Sequence, residues 1–148
     1  LLWYLSTAVL TLWLLWLSWI DLQSFRLPDR GTLPLVALGL GLSALAGREA
    51  LLLSLAGGAL GYGLFALIGG LHFRRRGEEG LGLGDAKLFA ASGTWLGLSM
   101  LPYVLLIAAL GGLAWALIAR AQGRLAFGPW IALGFWCVWL ARGPGSWG

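Results

Sequence analysis

The 148-residue chain is 59% hydrophobic and 11% charged, with a mean hydropathy of +0.85 and a formal charge of +4; a soluble domain carries about twice that charged fraction. At about 20 residues per spanning helix, the length allows roughly six membrane spans and leaves nothing for a separate soluble catalytic module. The basic residues stand in loops beside apolar runs, as the positive-inside tendency dictates, so the charge implies no nucleic-acid partner.

The first apolar run, Leu1 to Ile20, carries no charge and reads as a span, with Trp3, Tyr4, Trp13 and Trp16 as amphipathic aromatics. It does not read as a signal peptide, and because the chain opens on Leu1 rather than Met, a trimmed upstream piece is expected. Polar residues from Asp21 to Arg30 follow. Pro34 then opens a second, shorter segment to Gly47, with Gly39, Ser43 and Gly47 four apart on one face. Leu51 to Phe73 forms a third segment in which Gly57 and Gly61 repeat that spacing. Such stripes let another helix approach closely. The stretch Arg74 to Asp85 is the most polar and glycine-rich of the chain, and Ala86 to Met100 resumes a helical pattern. Pro102 to Ala119 is the fifth segment. A loop with Arg120 and Arg124 leads to the sixth, from Pro129 to near Ala141, and the tail from Gly143 to Gly148 has a disordered composition.

The expected fold is therefore all-α: a polytopic membrane helix bundle of about six helices, formed by one domain over residues 1–148. The second, fourth and sixth segments fall short of a full span, so some begin inside the interface. If all six cross, the odd loops share a side and collect 8 of the 10 basic residues, leaving Arg48 and Arg142 opposite. That side is predicted to be cytosolic. Of the six acidic residues, five (Asp21, Asp29, Glu78, Glu79 and Asp85) lie there too, and only Glu49 does not.

Each ionisable group beside hydrocarbon is costly and so a candidate for function. Asp21 closes the first span and Asp85 opens the fourth, which puts both at similar depth near the cytosolic interface. Two carboxyl groups in a poorly solvated site share a proton, so one activates water while the other donates to a carbonyl oxygen. This aspartic solution to amide hydrolysis needs no metal, serine or cysteine. The competing reading makes Asp85 a helix cap and Asp21 a marker of the water boundary.

Asp29, after Pro28, fits a turn or cap better than chemistry. A hard cation held by the three carboxylates ranks lower, since the spacing supplies no further oxygen ligands, and a lone Cys137 excludes disulfides and paired-cysteine metal sites within the chain. The run Gly80-Leu81-Gly82-Leu83-Gly84-Asp85 lets an extended peptide approach the backbone beside a carboxyl group and does not match a dinucleotide fingerprint. Lys87 either tunes Asp85 or snorkels to the interface. Arg74 to Arg76 read as a topology anchor and His72 as an interfacial residue.

At these residues the chain resembles the prepilin peptidases, the type IV leader peptidases of bacterial membranes. The likeness is carried by Ile20-Asp21-Leu22 through Leu27-Pro28-Asp29-Arg30 with Leu33-Pro34-Leu35, by Gly82-Leu83-Gly84-Asp85-Ala86-Lys87-Leu88 continuing to Ala90, Gly93, Trp95 and Gly97, and by Phe127-Gly128-Pro129. The resemblance implies that Asp21 and Asp85 are the catalytic aspartates of a GxGD-type membrane protease. Pro28, Asp29, Gly82, Gly84 and Lys87 would be supporting or substrate-binding residues, with no metal and no cofactor for peptide cleavage.

It further implies removal of the basic leader from type IV prepilins or type II secretion pseudopilins, at the cytosolic face of the bacterial inner membrane. The small-residue stripes would either accept the substrate's apolar helix or serve internal packing, with internal packing favoured. Family members that also methylate the new N-terminus use an upstream cysteine-containing insertion, so methylation is not assigned to these 148 residues. Two further readings stand beside this one. A presenilin-like or signal-peptide-peptidase-like GxGD protease would carry a Pro-Ala-Leu element not found here, and a membrane scaffold or transporter would cleave nothing.

Overall fold

The computed structural model describes residues 2–24, 29–76, 83–118 and 128–143. Among them are six α-helices: α1 (Leu2–Ser24), α2 (Asp29–Ala46), α3 (Arg48–Arg76), α4 (Leu83–Leu96), α5 (Leu101–Ile118) and α6 (Gly128–Arg142), with a 3-10 turn at Leu98–Met100. Three stretches are long and apolar enough to cross a membrane: Trp3–Gln23, Arg48–Leu67 and Leu98–Ile118. Leu12, Leu52, Leu106 and Leu117 on these helices are exposed. Water would reject such surfaces and lipid accepts them.

The helix boundaries differ from expectation at three places. Pro34 lies inside α2 rather than opening it. A proline withholds the donor that would meet the carbonyl four residues earlier, on Arg30; the neighbouring Gly31 carbonyl accepts a hydrogen bond from the Trp13 indole at 2.8 Å. The arginines at 74–76 form the last turn of α3, not a loop. Helix α4 begins at Leu83, so Gly84 and Asp85 are in its first turn rather than ahead of it. First-turn N–H groups have no acceptor within the helix, and the dipole favours a carboxylate there.

With only 14 residues, about 21 Å long, α4 is too short to span alone. It is the central strut, packed against α3, α2 and α6, while α6 also carries α1 and α5 on its flanks. Every residue from Leu88 to Leu96 is buried.

Glycine makes that enclosure possible. A Cβ on Gly93 would collide with the Gly57 carbonyl of α3, and one on Gly57 would lie 2.7 Å from the Gly93 oxygen, so the two backbones touch directly. Gly58 and Gly61 of α3 meet Thr94 and Phe89, and Gly39 of α2 meets Thr94 and Trp95. The small-residue stripes thus serve internal packing.

Polar side chains complete the joints. Helix α4 stops at Gly97, whose φ of +87° suits glycine and leaves the last carbonyls of α4 without helical partners. Ser43 of α2 and Ser54 of α3 both donate to the Thr94 carbonyl, at 3.1 and 2.5 Å, and Arg142 of α6 donates to the Leu96 carbonyl at 2.7 Å. Between α1 and α6, the Trp139 and Trp136 indoles donate to the hydroxyls of Thr7 and Thr11 at 2.8 and 2.9 Å. Each hydroxyl in turn donates to the carbonyl four residues earlier, on Trp3 and Thr7.

The glycine contact predicts that Gly93→Ala destabilises the detergent-solubilised protein by about 1–3 kcal/mol through overpacking. Gly63→Ala, where an added Cβ meets nothing within 4 Å, should instead stabilise by up to about 1 kcal/mol through helix propensity. Thermal midpoints of the two variants should move in opposite directions.

Candidate active site

Leu10, Leu14 and Leu17 of α1 are buried on one stripe at helical spacing, and Asp21 continues it one turn further. The stripe takes the carboxyl side chain into the protein, where the residue is 3% exposed. There Oδ2 accepts a hydrogen bond of 2.9 Å from the backbone N–H of Gly128. Gly128 starts α6, so the donor is one of the first-turn N–H groups that no helical carbonyl uses. Pro129 follows without a donor of its own, and the carboxylate sits at the positive end of the α6 dipole.

Asp85 occupies the first turn of α4 and is half-buried. One turn further into the bundle, Phe89 stacks on Phe65 of α3 with ring centroids 4.4 Å apart. Asp85 thus lies below an apolar layer on its own helix face, as Asp21 lies below Leu17.

Successive antiparallel pairings place the two aspartates at one end of the bundle. Leu17 of α1 packs near Gly31 of α2, close to the connection between those helices. The one-residue turn at Gly47 reverses α2 into α3. In turn, α3 runs against α4, with Ser54 beside Thr94, Gly57 beside Gly93 and Phe65 beside Phe89.

A second route agrees. Trp95 packs on Phe135 and Trp139 of α6, at 6.0 and 5.3 Å between ring centroids. Asp85 precedes Trp95 by about 15 Å of helix, and Gly128 precedes the midpoint of those two α6 rings by about 14 Å. Asp85 is therefore level with the Gly128 N–H that holds Asp21.

Lys87 also borders a groove. Two residues apart on a helix means about 200° around it, and Lys87 lines a separate groove of about 480 Å³ between α2 and α3, with Leu33, Val36, Tyr62 and Ala90. Asp29 begins α2 on the same end of the bundle, and Gly84 adjoins Asp85 within α4. Arg26, Leu27, Pro28, Glu78, Glu79, Gly80, Gly82, Arg120, Arg124, Phe127 and the tail beyond residue 143 lie outside the described residues. No group of three or more metal-binding side chains occurs among the described residues.

In the sequence Gly128 stands only within the Phe127-Gly128-Pro129 stretch, with no role of its own. Its signal was the Gly-Pro pair, which marks a helix start without revealing which side chain would meet it.

Residues 8–117 match the model of the type IV leader peptidase family. Among curated relatives, the prepilin leader peptidase/N-methyltransferase of Escherichia coli (strain K12) is 44% identical over 124 residues, covering 80% of this chain and 55% of the relative. The protein of that name from Neisseria gonorrhoeae is 38% identical over 140 residues, covering 93% and 49%. That from Burkholderia pseudomallei (strain 1026b) is 43% identical over 127 residues, covering 82% and 41%. The chain spans about half the length of the curated relatives it matches. No solved structure matches it. With the family model matched over most of its length, the chain belongs to the type IV leader peptidase family of membrane aspartic peptidases.

Proposed function

We propose that this chain carries the peptidase centre of a prepilin leader peptidase, with Asp21 and Asp85 as the pair that activates water. The reading rests on one observation above all: a buried carboxylate gripped by a helix-start N–H, level with a second carboxylate in the first turn of the central helix. The substrate would be a type IV prepilin or pseudopilin whose basic leader lies at the cytosolic face and whose apolar helix lies in the bilayer. The bundle would cross the inner membrane with six helices, the aspartate end facing the cytosol, in keeping with the basic residues gathered there.

In this mechanism one carboxyl group holds the shared proton and polarises the scissile carbonyl, while the other takes a proton from the attacking water. The tetrahedral intermediate then collapses as the leaving amine receives a proton, which restores the pair. The Gly128 N–H fixes the rotamer of Asp21 throughout, and Asp85 is fixed because α4 cannot shift within its close contacts. Gly84 would let the substrate backbone pass close to Asp85. Lys87 would act on the substrate from the α2–α3 groove.

Asp21→Asn and Asp85→Asn should each lower leader removal by about 10²–10⁴-fold while the thermal midpoint in detergent stays near that of the parent. Asp29→Asn should retain cleavage. Normal processing by either of the first two variants, measured with purified protein and a prepilin peptide, would overturn the assignment. Mapping the cut supplies a second check. Cleavage ahead of the apolar helix fits this reading, whereas cleavage within that helix would mark a presenilin-like protease.

A further inference from the structure

A second concave site lies at the opposite end of the bundle, where α2 turns into α3 at Gly47, α4 ends at Leu96 and α6 ends at Arg142. Its cavity measures about 440 Å³, within the range of small-molecule sites. Leu42, Leu53 and Trp95 form an apolar wall, and the charged residues Arg48, Glu49 and Arg142 complete the lining.

We propose that this cavity binds the headgroup of a zwitterionic membrane phospholipid. The phosphate would lie against Arg48 and Arg142, the headgroup ammonium against Glu49, and the start of an acyl chain against Leu42, Leu53 and Trp95. Three features converge on this ligand. The cavity lies beside Arg48 and Gly97, where two of the three stretches long and apolar enough to cross a membrane begin, and the ends of such stretches meet the headgroup layer. Two guanidinium groups and one carboxylate match a phosphate and an ammonium in sign. The apolar wall has no counterpart in a free phosphate ion but matches the upper part of a lipid chain.

Arg142 is already oriented by its bond to the Leu96 carbonyl. A guanidinium presents several donors in a fixed fork, so one side chain can cap α4 and face the cavity. A lipid bound there would brace the ends of α2, α4 and α6 together, far from the aspartates and independently of any role they have in cleavage.

The test uses the whole chain in detergent, titrated with phosphatidylethanolamine, diacylglycerol or inorganic phosphate, with bound lipid counted by native mass spectrometry and the thermal midpoint followed in parallel. Phosphatidylethanolamine should remain bound as one copy and raise the midpoint, while diacylglycerol and inorganic phosphate do neither. Arg48 is exposed, so Arg48→Ala should fold normally and weaken lipid binding about tenfold, the size of one lost charge-assisted bond. Glu49→Gln should shift preference several-fold toward phosphatidylglycerol. Equal retention of diacylglycerol, an equal midpoint shift with inorganic phosphate, or parental affinity in Arg48→Ala would overturn the site. An unchanged preference in Glu49→Gln would overturn the ammonium contact.

Discussion

A carbonyl oxygen at the end of a helix must find a donor, and where that end is buried in the protein a neighbouring side chain has to supply it. The last turn of α4 faces this constraint because Thr94, Trp95 and Leu96 are buried. Ser43, Ser54 and Arg142 answer it from three neighbouring helices, and the positive charge of Arg142 also suits the negative end of the helix dipole. Those bonds fix the height and rotation of α4, and α4 carries Asp85 at its other end.

The remaining architecture follows from how closely backbones approach. Dispersion between helices grows as they near one another, and in lipid this replaces the hydrophobic drive that water provides. Gly57 and Gly93 bring α3 and α4 into direct backbone contact, while Gly134 lets α6 settle against the Val104 carbonyl of α5. The tryptophans add direction to this packing. Trp13, Trp95, Trp136 and Trp139 spend their N–H groups on partners in other helices, so they act as interhelical ties as well as amphipathic side chains.

Much of this was legible in the residues. Apolar runs located all six helices, and the positions of Asp21 after one run and Asp85 before another were enough to place both at one end. The burial of Asp21 could be read from Leu10, Leu14 and Leu17 at helical spacing. The boundaries were less legible. Pro34 looked like a start because proline breaks ladders, but Trp13 reaches across from another helix to the neighbouring Gly31 carbonyl, and no local window contains that partner. The stretch holding Gly128 was noticed, but its contact was hidden for the same reason: its N–H meets an oxygen more than a hundred residues away in the chain. That Lys87 stands about 200° around α4 from Asp85 was within reach of simple helix geometry.

The turn at Gly47 bears on how such a chain enters the bilayer. At φ +137° a single residue reverses α2 into α3, and α2 is shorter than the three stretches apolar and long enough to cross by themselves. Partitioning α2 alone would carry a proline-disturbed backbone into lipid. Entering as one arm of a helical hairpin, it arrives beside a stronger apolar companion. If α2 crosses, its insertion would be a two-helix event, and lengthening the tight reversal would uncouple the weaker arm from the stronger one.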